Sequence, residues 1–238
     1  MMAFFAGPKN GIGSRTRGWG MTSNRAVSGR VNINHTEDTM TTPSHLIMTL
    51  ALHRRMRAKP IPRTAVGMGA IVPDLALIIL MSLGSVWFSV QQPWTLAEGH
   101  RYAMDAAYYT NPVWVIAYNL LHAPLVLGLL LILTWRTRWA HAGWGRWVFW
   151  FASAASLHTI IDIGTHHSDG PLLLFPFNWQ LRFQSPLSYW DPQYYGFWVL
   201  GFELVLDLGL LIYLWRTRHS PRRTAEPADR PSESPDQA

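Results

Sequence analysis

Residues 147–166 read WVFWFASAASLHTIIDIGTH. Up to Gly164 this is an apolar run that reads as a membrane span, yet His158 and Asp162 lie inside it and His166 follows at the same four-residue step. Ionisable side chains are costly in hydrocarbon, so their default reading there is functional. A step of four sets neighbours about 6 Å apart on one helix face. Two imidazoles and a carboxylate are nitrogen-and-oxygen ligands suited to a divalent metal. The ends of the row are about 12 Å apart along the axis, too far to grip one ion together. Either two metals are present, or one end serves substrate contact or proton transfer.

The rest of the chain places this segment in a bilayer. Of its 238 residues, 49% are hydrophobic and only 14% charged, unevenly distributed. Thirteen Trp exceed what a small soluble core needs and suit interfacial belts. The absence of cysteine excludes disulfides, thiolate nucleophiles, Fe–S clusters and cysteine-type zinc sites. Any metal must be held by His, Asp, Glu and water. A net charge of +6 raises nucleic acid as a partner, but the basic residues sit in short clusters beside apolar runs, where membrane orientation explains them. No nucleic-acid role is expected.

Four runs have the length that a hydrocarbon core of about 30 Å requires: 64–88, 113–135, 147–164 and 196–215. A shorter stretch, His45 to Leu52, follows Thr42, Pro43 and Ser44 and resembles a capped half-helix or a surface helix. The expected fold is therefore all-α, a multi-pass transmembrane bundle of about four spanning helices plus a short N-terminal half-helix. Arginines cluster before the first run, between the second and third, and after the fourth, while the loops 89–112 and 165–195 carry one Arg each. By the positive-inside rule both termini are cytoplasmic. Residues 1–39 and 219–238 lack apolar periodicity and read as disordered tails around a helical domain, 40–218; Met40 is a second possible start.

Counting depth from the basic end of each run puts Asp74 at about 15 Å, His122 at about 20 Å, and His158 and Asp162 at about 16 and 22 Å. Glu203 and Asp207 fall at about 18 and 12 Å. Polar groups from four runs thus share one layer, and in a bundle they should face each other or a wet cavity. Pro73, just before Asp74, frees a helix carbonyl and opens room for such a cavity. The plainer alternatives are hydrogen-bonded structural groups for His122 and for the Glu203–Asp207 pair, and a simple kink at Pro73. His45 reaches this layer only if its short helix dips into the bilayer. The cluster His166-His167-Ser168-Asp169 sits where the third run meets the outside and is a candidate mouth, and the aromatic stretch after it reads as an interfacial belt or a lipid-facing entrance.

Several segments resemble the bacterial membrane-bound metal-dependent hydrolase family, the LexA-binding, inner-membrane-associated hydrolases. They are Thr42-Pro43-Ser44-His45-Leu46, Gly69-Ala70-Ile71-Val72-Pro73-Asp74, His122 early in a span, His158-x-x-x-Asp162-x-x-Thr165, and Leu174-Phe175-Pro176-Phe177. The resemblance implies a bacterial inner-membrane protein with a metal site drawn from His45, Asp74, His122, His158 and Asp162. The chain departs from the family where Leu75-Ala76-Leu77 follows the Pro-Asp pair and where Tyr118-Asn119-Leu120-Leu121 precedes the later His; His166, His167 and Asp169 are available as replacements.

The expected function is an integral-membrane hydrolase using a divalent metal, with zinc the leading candidate, and His166 is added to the implied ligands. Its substrate would be a membrane lipid or a lipid-linked ester or phosphoester, attacked by a metal-bound water with Asp162, His167 or Asp169 moving the proton. The alternative is a non-enzymatic membrane protein, a proton or metal-ion conduit or a scaffold, which the ladder of acids and histidines also suits.

Overall fold

A computed structural model describes residues 41–56 and 61–218. The readings of 1–39 and 219–238 as disordered tails, and of Met40 as a start, fall outside these residues. Among the described residues the secondary structure is helical, with no strand beyond one isolated antiparallel bridge, Leu172 with Arg182, which lies in the long loop 166–191. Its elements are α1 (Thr41–Arg55), α2 (Arg63–Gln91), α3 (Leu96–Tyr102), α4 (Tyr108–Thr110), α5 (Pro112–His122), α6 (Pro124–Thr134), α7 (Trp144–Thr165) and α8 (Gly196–Thr217). A π-helical turn, Ala103–Ala107, joins α3 to α4.

Four spanning helices were expected, and fewer qualify. By length and composition, α2 and α8 can each cross a membrane, and α5 with the segment from Pro124 to Thr137 makes a third crossing only if the two are counted as one span bent by 44°. The bend follows from Pro124, which forces Ala123 into an extended conformation (φ −70°, ψ 123°) and ends α5 at His122. The long α7 falls short on hydropathy, not on length. Its interior carries Ala152, Ala154, Ala155, His158, Thr159 and Asp162, all buried within the protein. A helix wrapped by other helices has no need of an apolar surface, so its sequence is freed for small and polar residues.

Close backbone approach builds the centre. A Cβ on Gly69 would lie 2.3 Å from the carbonyl oxygen of Phe151 and 2.8 Å from the Ala154 Cβ, so α2 and α7 meet at a point only glycine fits. Small residues at helix crossings are the usual means of helix association where lipid removes the hydrophobic drive. On one side of this crossing Ala65, Val66, Phe149, Trp150 and Phe151 pack together. On the other, Met81 of α2 packs with Ala103, Ala107, Tyr108, Trp114 and Tyr118. The polar layer at Asp74 lies between these two apolar clusters along α2.

The short N-terminal helix is longer than the stretch from His45 to Leu52, and Thr42, Pro43 and Ser44 lie in its first turn. It packs between α2 and α8. In α8 only Gly196 is buried, and Phe197, Trp198, Phe202, Val205 and Leu208 are exposed.

Candidate metal centre

Four side chains from three helices converge in the polar layer. Asp74 comes from α2, His122 from the last turn of α5, and His158 and Asp162 from α7; one ligand atom of each lies within 4.8 Å of all the others. His122, His158 and Asp162 are buried. His158 Nε2 stands 3.2 Å from His122 Nε2, 3.2 Å from Asp74 Oδ1 and 3.2 Å from Asp162 Oδ2. His122 Nε2 is 3.4 Å from Asp74 Oδ1 and 3.5 Å from Asp162 Oδ2. A tetrahedral ion with ligands at about 2.0–2.1 Å has edges of about 3.3–3.4 Å. The arrangement could hold a divalent metal ion.

The remaining heteroatom of each of these four residues is held in place. His158 Nδ1 lies 3.0 Å from the carbonyl oxygen of Ala70, and His122 Nδ1 2.8 Å from that of Tyr118. A carbonyl can only accept, so in both rings Nδ1 carries a proton and Nε2 faces the centre, with a free lone pair when the ring is neutral. Two such lone pairs 3.2 Å apart repel unless a proton or a cation lies between them. On the carboxylate side, the Thr42 hydroxyl donates to Asp74 Oδ2 at 2.6 Å, and His45 Nε2 lies 3.0 Å from Asp162 Oδ1. Such outer hydrogen bonds fix the orientation of metal ligands; those donated by His122 and His158 also raise the basicity of the rings, whereas those accepted by the carboxylates lower theirs. The Tyr118 ring stacks on His122 at 4.2 Å, and His45 lies against His158 at 3.9 Å.

The remaining sequence candidates take other places. His45 does reach the layer, buried at 2% exposure, but its Nε2 meets the outer oxygen of Asp162 instead of joining the four ligand atoms. Nδ1 of His166 is 3.0 Å from the main-chain oxygen of Asp162 and 4.0 Å from its Oδ1. His167 turns away into the loop after α7, with Nδ1 2.5 Å from the Ser185 carbonyl and its ring stacked 3.5 Å from Tyr194. Asp169 Oδ2 accepts from the Trp190 indole at 3.1 Å, while its carbonyl accepts from the Tyr108 hydroxyl at 2.5 Å. Burial pushes the Tyr108 hydroxyl far above its ordinary pKa, so it stays a neutral donor in that bond. On α8, Asp207 Oδ2 accepts from Ser44 at 2.5 Å.

Thr42 and Ser44, read from sequence as helix caps, thus bond carboxylates on neighbouring helices. Asn119, which enters the sequence reading only within a departure from the family pattern, has a structural role. It is wholly buried, its Oδ1 accepts from the Leu172 main-chain N–H at 2.7 Å, and it ties the loop after α7 to α5. An amide inside an apolar run was the available signal.

A cavity of about 500 Å3 adjoins the centre. Asp74, Asp162, His166, Tyr118 and Thr42 supply its polar wall, and Leu46, Ile71, Leu77 and Ile78 part of its apolar wall. Of the four converging residues, only the two carboxylates line it. A molecule entering the cavity therefore meets the centre from its Asp74–Asp162 side.

Comparison with protein-family models, with curated proteins and with solved structures finds no match to this chain.

Proposed function

We propose that this chain is an integral-membrane, metal-dependent hydrolase acting on a lipid or a lipid-linked ester or phosphoester, with His122, His158, Asp74 and Asp162 as ligands of one divalent ion. One observation carries the reading: four donor atoms from three helices converge, five of their six separations lie at 3.2–3.5 Å, close to the edges of a tetrahedron, and each residue has its partner atom pinned, beside a largely apolar cavity. A divalent ion held there supplies Lewis acidity and lowers the pKa of water toward neutrality; zinc suits the donor set.

The protein's own groups do the rest. Thr42 and His45, both from α1, fix the carboxylates. Asp162 and His166 share the cavity wall, and with both Asp162 oxygens engaged it is His166 that would receive and pass on a proton, whereas His167 and Asp169 are tied into the loop after α7. Leu46, Ile71, Leu77 and Ile78 give an alkyl chain a surface that excludes water. In the bilayer, α7 crosses with α2, the bent α5–α6 unit and α8, with both termini on the cytoplasmic side of a bacterial inner membrane. The Thr42–Leu46, Gly69–Asp74 and His158–Thr165 segments support a place in the membrane-bound metal-dependent hydrolase family.

The test is purification in detergent, metal analysis, and hydrolysis of acyl-chain esters and phosphoesters before and after chelation. Activity lost on chelation, restored by zinc, and absent from His158→Ala is expected. A protein that holds no stoichiometric divalent ion contradicts the reading.

A second reading, a metal-ion conduit, is favoured by the Ser44–Asp207 pair and by Glu203 beside Ser44, which carry polar groups on from the centre toward α8. Ion flux in proteoliposomes without turnover of any lipid would establish it instead.

A further inference from the structure

The cavity beside the centre has an uneven charge inventory. Its described wall carries two carboxylates, Asp74 and Asp162, and no Lys or Arg. Among the described residues, the arginines nearby in sequence are bonded elsewhere or exposed. Arg182 donates to the Gly170 carbonyl and lies 5.3 and 5.5 Å from the ring centroids of Tyr108 and Tyr109. Arg101 is exposed on α3, and Arg54 bonds Thr217 at the end of α8. Among the described residues there is only one cluster of potential metal ligands, so no second cation is available from the same neighbourhood.

One divalent ion against two carboxylates leaves the centre with no net charge. Enzymes that act on phosphoryl groups surround the anion with surplus positive charge, from a second metal or from Arg and Lys clamps. Among the described residues nothing of that kind faces this cavity. A phosphate monoester or diester entering it would bring one or two uncompensated negative charges into an apolar wall, against carboxylates already there. A carbonyl group brings none.

We propose that the site selects an uncharged scissile group: a carboxylic ester or amide of an alkyl chain, not a phosphoester. This rests on the hydrolase reading and narrows its substrate class. For an ester, the oxygen of water bonds to the carbonyl carbon, the bond from that carbon to the alcohol oxygen breaks, one proton from water ends on the departing alcohol, and the acid product releases its own proton to solvent. No oxidant, reductant or further reactant is required.

The experiment uses the full chain, zinc-loaded in detergent, and two kinds of probe with the same dodecyl chain. Binding is measured by calorimetry with dodecyl methyl ketone, which is neutral, and with dodecylphosphonate, which is anionic. Turnover is measured with dodecanoyl esters and with dodecyl phosphoesters. The ketone should bind at least about tenfold more tightly than the phosphonate, since like-charge juxtaposition opposes the anion. Only the esters should be turned over. A charge-adding variant on the cavity wall, Ile78→Arg, at a side chain 48% exposed, should narrow or reverse the binding preference.

Equal or tighter binding of the phosphonate, or turnover of the phosphoester, overturns the charge selection and leaves the hydrolase reading standing. Binding of neither probe also overturns it. Preferential ketone binding with no turnover of either class supports the selection while removing the hydrolase.

Discussion

Two regions of this molecule place acids and histidines four residues apart in apolar helices, and only one of them forms a centre. On α7, His158 and Asp162 meet Asp74 of α2 and His122 of α5, and each of the four has its outer heteroatom bonded to a fixed partner. On α8, Glu203 and Asp207 keep the same spacing. Yet Asp207 receives one bond from Ser44, and its Oδ1 is buried without a hydrogen-bond partner. Spacing on one helix therefore supplies candidates, while convergence from several helices makes a site. The difference lies in the neighbours: α7 is packed by α1, α2, α5 and α6, whereas α8 rests chiefly on α1.

The strongest way to break this contrast is to remove a ligand. His158→Ala or His122→Ala should take bound metal from about one ion per chain to almost none, read by elemental analysis of the folded protein, because a buried site of four ligands does not close with three and a void. If metal content were unchanged, the ion would be held elsewhere.

Next come the groups that orient the ligands. Thr42→Val and His45→Phe should each weaken metal binding about 10- to 100-fold with the stoichiometry retained at saturating ion, as loss of outer hydrogen bonds to ligands commonly does. Competition with a chromogenic chelator measures it. Loss of all binding in His45→Phe would instead make His45 a direct ligand.

A purely steric change sharpens the contrast from another side. Gly69→Val leaves every polar group intact but pushes α2 from α7 at the Phe151 carbonyl, and a thermal-unfolding loss of about 1–3 kcal/mol with weakened metal binding is expected. Unchanged stability would mean that the two helices tolerate a wider crossing.

The α8 pair should matter least to the metal. Glu203→Gln combined with Asp207→Asn is expected to leave metal stoichiometry as in the unaltered protein, measured by the same elemental analysis. A lost ion there would erase the distinction between the two regions and favour the conduit.

Much of this contrast was legible in the sequence, and its limits have physical causes. His158 and Asp162 stood out because charge in an apolar run is rare, and Asp74 and His122 joined them because depth counted from the basic ends is a one-dimensional quantity a sequence preserves. Rotation about each helix axis is not preserved in that way, so Glu203 and Asp207 shared the layer without sharing the centre. Thr42 and Ser44 looked like local caps because a hydroxyl near a helix start has a local explanation ready; their partners lie 32 and 163 residues away. Counting four spans overlooked that a central helix can be less apolar than the spans around it, since α7 faces protein. The loop residues His167 and Asp169 were grouped with the site by proximity in sequence, and the turn after Thr165 carries their side chains to Ser185 and Trp190.

X-ray absorption spectroscopy on the zinc-loaded protein tests the centre most directly. Two imidazole nitrogens and carboxylate oxygens at about 2.0–2.2 Å are expected, and this signal is lost together with the bound zinc in His122→Ala. A bound ion showing no imidazole scattering, or a spectrum unchanged by that substitution, contradicts a metal centre in this layer.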